Sequence, residues 1–323
     1  MFIVRFIKGY MMKKSIQFEL WHECNNLCKM CFLGLENRVT PKATKIKSLK
    51  DAINKTKTFQ GDIIALIGGE FFQGQIADPN VHELFYVLIS LIINKLNKQE
   101  ISTAWVTATL TDKTPKDLLE FLNYVKTTWN GNGHLVICTS YDVIGRFHVE
   151  QKRLNWEENM LLIPTIDNRI ELNTTMILTG ALIDSYLKNE ISFLDFTTKY
   201  DTGLMLKHPN SGPYLTLAEM EKALPSFVPE RRKTILFFKK LKLKEPFIFN
   251  TRLFNVNLRA DECVKRNNDG FSYSDKRDKI GTNEYTLGFY ETKTMECGHS
   301  ELYRCYIDSD ACMKCDFLEV KGE

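Results

Sequence analysis

No charge of one sign dominates this chain: 43 lysines and arginines face 40 aspartates and glutamates, a formal net charge of +3 over 323 residues. That balance supplies no electrostatic argument for a nucleic-acid, membrane-surface or acidic partner. Long apolar runs are missing as well. The longest, Leu84 to Ile93, is broken by Ser90 and ends at Asn94 and Lys95. It falls short of the ~20 residues a bilayer span needs and reads as a buried helix. Residues 1–14 carry Arg5, Lys8, Lys13 and Lys14 and lack the continuous apolar core of a secretory leader. They read as an extension or leading strand, with Met11 or Met12 as alternative starts to Met1. Internal repeats and low-complexity tracts are absent, and the six histidines show no metal-ligand spacing of their own.

What the chain does have is cysteine. Nine cysteines, an odd number, without a secretory leader read as metal ligands rather than disulfides and point to a reducing cytoplasm. Cys138 and Cys263 stand alone, and the default for a lone cysteine is a small buried apolar residue. The other seven fall into two groups. In the first, Trp21-His22-Glu23-Cys24-Asn25-Asn26-Leu27-Cys28-Lys29-Met30-Cys31, three thiols follow a C-x3-C-x2-C spacing. Three thiolates can each take one iron of a four-iron cluster and leave the fourth iron open to a ligand. A zinc knuckle completed by His22 is the alternative at this point.

Downstream, the apolar run Ile63 to Ile67 ends in Gly68-Gly69-Glu70. The cysteine spacing and this glycine-glycine-glutamate turn, in this order, resemble the radical S-adenosylmethionine enzymes. The resemblance implies a 4Fe-4S cluster on Cys24, Cys28 and Cys31 and S-adenosylmethionine bound at its open iron. Reductive cleavage of that cofactor to a 5′-deoxyadenosyl radical would then abstract hydrogen from a substrate. It also implies a low-potential electron donor of flavodoxin or ferredoxin type. Gly68 and Gly69 would admit the methionine moiety, Glu70 would accept from its ammonium group, and Met30 would pack near the adenine. Ser140, Asp142 and Arg146, after the fourth strand, would meet the ribose or the carboxylate. Where the family usually continues with proline, this chain has Phe71.

Apolar periodicity alternates between strand and helix along two thirds of the chain. Strands are expected at Ser15 to Trp21, Ile63 to Ile67, Ile101 to Leu110, Leu135 to Thr139, Ile170 to Leu178 and Gly203 to Leu206. Helices are expected from Ser48 and Asp51 toward Phe59, over Val81 to Leu96, from a Thr114-Pro115 cap to Trp129, over Trp156 to Leu162 and over Ala181 to Asn189. Two more follow, from Thr216 to Leu224 and across the basic stretch Arg231 to Lys244. Such alternation means parallel βαβ units, in an open barrel or a doubly wound sheet, with ligands at the carboxyl ends of the strands. The resemblance selects an α/β fold with a partial (β/α)6 TIM-type barrel over residues 15–245 and a small cysteine-rich C-terminal domain over 246–323.

That domain holds the second cysteine group: Cys297-Gly298-His299, Cys305, Cys312 and Cys315. Four thiolates ending in C-x2-C suit a second, fully ligated 4Fe-4S cluster or a tetrahedral zinc, with His299 as an alternative zinc ligand. A cysteine-rich extension of this kind suggests a peptide substrate, whereas the basic stretch with Phe237 and Phe238 suggests a nucleotide or nucleic acid. A reading of another class is a non-catalytic zinc or iron-sulfur module that binds nucleic acid or a protein partner.

Overall fold

The computed structural model describes residues 14–31, 39–142, 144–207, 210–211 and 217–245, with four short strands beyond them. In chain order the elements are β1 (Lys14–Glu19), α1 (Lys42–Thr58), β2 (Ile63–Ile67), α2 (Pro79–Asn97), β3 (Thr103–Thr107), α3 (Lys116–Thr128), β4 (His134–Ser140) and α4 (Glu150–Ile166). They continue with β5 (Glu171–Ile177), α5 (Gly180–Leu187), α6 (Phe193–Tyr200), β6 (Thr202–Lys207), β7 (Asn210–Ser211), α7 (Leu217–Ala223) and α8 (Arg231–Lys244). The last four strands are β8 (Lys279–Ile280), β9 (Glu284–Tyr285), β10 (Phe289–Lys293) and β11 (Arg304–Cys305).

Strands β1 to β6 form a parallel sheet in which each strand lies beside its predecessor, and β10 adds antiparallel to the outer edge of β1. A doubly wound sheet reverses strand order at a switch point. This one never does, and right-handed crossovers therefore carry the helices to one side. The register places Ile16, Ile64, Ala104 and Leu135 in one row, all buried toward the helices. The opposite face carries Thr107, Cys138 and Asn173, which are adjacent in register and partly exposed. Among the described residues the sheet does not close on itself, since β6 and β10 are its edges.

Side-chain caps open three of the described helices, α2, α5 and α6. Asp78 Oδ1 accepts from Asn80 N at 3.0 Å and Val81 N at 3.4 Å, and Pro79 opens α2. The α2 residues Val81, Phe85, Leu88, Ile89, Ile92, Ile93 and Leu96 recur at helical spacing and are all buried, so the longest apolar run is the buried helix expected of it. No described helix is long and apolar enough to cross a membrane.

Five elements differ from expectation. Helix α1 begins at Lys42 rather than at Ser48. Ser48 is mid-helix, its hydroxyl donating back to Thr44 O at 3.0 Å. Helix α4 runs from Glu150 to Ile166, well beyond Trp156 to Leu162, while β3 keeps only Thr103–Thr107 of its expected span. At α3 the N-cap is Pro115 with no side-chain bond, so Thr114 does not cap it. Helix α6 was not anticipated at all. Its cap is Ser192, whose hydroxyl accepts from Asp195 N at 3.1 Å. Ser192→Ala is expected to lower stability by about 1 kcal/mol, read as a shift in the denaturant midpoint at unchanged slope.

The basic helix α8 packs on α5. Lys240 Nζ donates to Tyr186 O at 2.9 Å and Leu187 O at 2.5 Å, Lys244 Nζ to Asn189 Oδ1 at 2.6 Å, and Lys233 pairs with Asp184 at 3.0 Å. Cations at the carboxyl end of α5 satisfy its last carbonyls and oppose its dipole. Just past α8, the buried Glu245 carboxylate accepts from Phe193 N and Leu194 N at 3.1 and 3.2 Å, fastening the end of α8 to the start of α6.

Candidate metal and cofactor site

The cysteine segment leaves the carboxyl end of β1 and lies on the turn that follows β2. Leu20 N donates to Ile67 O at 3.2 Å, Gly69 N to Trp21 O at 2.8 Å, and Glu70 N to Glu23 O at 2.8 Å. The buried Trp21 indole donates to Glu70 O at 2.7 Å, and its ring meets Phe71 edge-on with centroids 5.0 Å apart. On the other side His22 N donates to Thr40 Oγ1 at 2.9 Å, and Lys45 pairs with Glu23. The segments that follow β1 and β2 are thus joined as an extension of that parallel pair.

The glycines make that join possible. A Cβ on Gly68, where φ is +148°, would stand 2.4 Å from Trp21 O. One on Gly69 would stand 2.2 Å from Glu23 O and 2.5 Å from His22 O. The room left by their missing side chains is taken by the backbone of residues 21–23.

Glu70 is buried. Its Oε1 accepts from Phe71 N at 2.9 Å and Phe72 N at 2.8 Å, and its Oε2 from Thr109 N. Burial pushes its pKa up, opposed by the bonds from Thr109, Phe72 and Phe71. The departure from proline has a local reason, since the Phe71 amide is one of those donors and a proline there would have none. Thr109 Oγ1 accepts from Gln73 Nε2 at 3.2 Å, and Gln73 Oε1 accepts from Asn25 N at 3.4 Å, which links the end of β3 to the cysteine loop. Sequence reasoning missed Trp21, Gln73 and Thr109, whose roles depend on contacts 36 to 49 residues away in sequence.

Cys24, Cys28 and Cys31 lie on this loop close enough to act on one another electrostatically. Asn26 N donates to Cys24 Sγ at 3.4 Å, and Arg146 Nη1 approaches Cys28 Sγ at 3.8 Å. Arg146 is fixed by Asp142, whose Oδ2 accepts from its Nε at 2.7 Å while Oδ1 accepts from Ile177 N at 2.8 Å. Burial works against the guanidinium charge, but Cys28 and Asp142 outweigh it and hold the Arg146 pKa above its ordinary value. The β4 loop also meets the cysteine loop through Lys29 N, which donates to Gly145 O at 2.9 Å. Arg146 therefore stands beside the Cys28 thiol with Asp142 behind it, whereas Ser140 ends β4 in register with Thr175. Met30 is buried against Met220, Leu224 and Phe227, so helix α7 and the residues after it cover its side chain.

Burial, and then the charge of Glu70, pushes the Cys24 thiol up from 9.0 to about 12. A thiol that far raised is protonated at neutral pH and must release its proton to ligate a metal. In metal-free protein near pH 8, Cys24 is expected to react with iodoacetamide at least tenfold more slowly than a thiol of ordinary pKa, since the loss of thiolate outweighs its higher nucleophilicity, with the rate rising about tenfold per pH unit. Peptide mapping of the alkylated sites measures this directly, and equal labelling of Cys24 and a denatured control would contradict it.

The donor set suits an iron-sulfur cluster. An amide and a guanidinium approach two of the sulfurs, where they would stabilise thiolates, and the loop would offer one ligand to each of three irons. Among the described residues, no three His, Cys, Asp or Glu side chains are gathered as a ready-made metal site. His22 Nε2 is held at 2.9 Å from Glu19 Oε1 in a buried pair. Of the second cysteine group, Cys305 is described only as backbone, in β11 paired antiparallel with β7, while Cys297, Cys312 and Cys315 lie outside the described residues.

No protein-family model matches this chain, and no curated protein sequence matches it.

Proposed function

We propose that the chain is a radical S-adenosylmethionine enzyme built on a partial (β/α)6 barrel. The observation that carries the reading is the docking of a three-cysteine loop on a Gly-Gly-Glu turn at the carboxyl ends of two adjacent parallel strands. Those ends are where ligands gather in folds of this type. Cys24, Cys28 and Cys31 would hold a 4Fe-4S cluster, which with S-adenosylmethionine supplies a 5′-deoxyadenosyl radical for hydrogen abstraction.

The chain's own residues do the positioning. Gly68 and Gly69 let the cysteine loop lie flush on the turn, and Glu70 fixes the turn through Phe71, Phe72 and Thr109. The same glutamate lies near enough to Cys24 to act on it electrostatically, and it is the residue that would accept from a cofactor ammonium group. Arg146, oriented by Asp142, sets a positive charge beside the Cys28 sulfur and offsets the negative charge three thiolates would bring. The engagement of Lys233 and Lys240 with α5, and of Lys244 with Asn189 just past it, weakens the argument for a nucleic-acid substrate.

Anaerobic reconstitution with iron and sulfide tests the reading. The expected result is about four irons bound at the first site and, after reduction, release of 5′-deoxyadenosine from S-adenosylmethionine. A protein that takes up zinc but no iron, or whose reduced cluster leaves the cofactor intact, would overturn it.

A further inference from the structure

We infer that Cys28 and Cys31 form a reversible disulfide when no metal occupies the loop, a modification that switches off metal loading at the same site. Cys31 N donates to Cys28 O at 3.1 Å, closing a turn over Lys29 and Met30. Turns closed in this way hold their end Cα atoms under about 7 Å apart. A disulfide spans about 4.4–6.8 Å between Cα atoms, so the turn brings the two residues within the span of the bond. The two thiols also share a surrounding, because the Arg146 guanidinium interacts electrostatically with both. Their exposures differ usefully. Cys31 is partly open to solvent, and Cys28 is 7% exposed.

Cys24 is the poorer partner. Its sulfur is bound by the amide of Asn26 at 3.4 Å within its own stretch of loop, and no turn hydrogen bond draws it to either other cysteine.

The oxidant is a small-molecule disulfide such as oxidised glutathione. The open Cys31 sulfur attacks one of its sulfurs, forming a mixed disulfide and releasing one small thiol. Cys28 then attacks Cys31 Sγ, the second small thiol leaves, and the loop disulfide remains. In total two protein thiols become one disulfide, and the oxidant is reduced to two thiols that carry away both protons. A dithiol reductant reverses the sequence.

The bond itself does not depend on the cluster reading; only its consequence for iron does. Trypsin cuts after Lys29, so Cys28 leaves on peptide 15–29 and Cys31 on peptide 30–38. Metal-free full-length protein is treated with oxidised glutathione, blocked with iodoacetamide and digested. The two peptides are expected to stay joined in the wild type and in Cys24→Ser, and to separate in Cys28→Ser. Joining should be at least tenfold faster in folded than in urea-unfolded protein. Separate peptides in the wild type, loss of joining in Cys24→Ser, or equal rates in the unfolded chain would overturn the proposal. In a parallel arm, iron uptake by the oxidised protein should fall at least tenfold and return with dithiothreitol. Mapped joining together with undiminished iron uptake would refute the switch and leave the bond. Failure of the reduced protein to take up iron would instead count against the cluster reading.

Discussion

Cys28→Ala is expected to yield a folded protein that binds iron at the first site more than a hundredfold more weakly and forms no detectable 5′-deoxyadenosine. The fold should survive because the bonds that dock the loop on the turn after β2 do not use the Cys28 sulfur. They run through the backbone of Trp21, Glu23, Gly69 and Glu70 and through the Trp21 indole. The sulfur lies 3.7 Å from Arg146 O and 3.8 Å from its Nη1, and trimming it to a methyl group removes little buried volume. Metal binding is another matter. Loss of a group that merely orients a ligand costs about 10–100-fold in affinity, and loss of a ligand itself should exceed that. The measurements are iron and sulfide per chain, the visible absorption of the cluster, and thermal unfolding of the metal-free protein. Retained cofactor cleavage by Cys28→Ala would sink the assignment of the first site.

Gly69→Val should be as damaging by a different route, acting on the fold and the site together. Already the first added carbon would stand 2.2 and 2.5 Å from two backbone oxygens. Backbone cannot rotate aside as a side chain can, so the cysteine segment must lift away from β2. Lifting it breaks the hydrogen bonds from Gly69 N and Glu70 N and uncovers Trp21. A loss of about 3 kcal/mol or more is expected from overpacking and unpaired buried amides together. The fair control is Gly74→Ala, where φ is +84° but nothing lies within 4 Å of the new carbon. Only the left-handed backbone is strained there, at about 1–2 kcal/mol. Denaturant unfolding of the two metal-free variants separates them, and similar losses in both would contradict the account of the β1–β2 junction.

Much of the sheet was legible because its strands are short apolar stretches separated by amphipathic helices, and that alternation survives without any tertiary information. Helix starts were less legible. Ser48 has the chemistry of a cap, yet α1 begins beside Pro41 with no side-chain cap, so the sequence offered a stronger signal in the wrong place. The Ser192 and Asp195 spacing was a fair sign of α6 but lies in a short polar stretch after α5, easily read as loop.

At the site, the cysteines and the Gly-Gly-Glu turn stood out by spacing, while the reason for the glycines did not. That the room they leave is filled by residues 21–23 follows only from strands 48 residues apart lying side by side, as Gln17 and Ala65 do. Met30 presents the same difficulty more strongly. Its neighbours Met220, Leu224 and Phe227 arrive from the far end of the sheet, and nothing around position 30 announces them.

The pairing of β10 with β1 bears on how the chain is made. Strands β1 to β6 can zip up in the order they leave the ribosome, each against the one before, without waiting for distant sequence. The outer side of β1 cannot be completed in that way, because its partner is Phe289–Lys293. Until those residues emerge, Lys14–Glu19 presents a row of unpaired amides and carbonyls, the template on which other chains aggregate. Cutting the protein back to its six parallel units would make that exposure permanent.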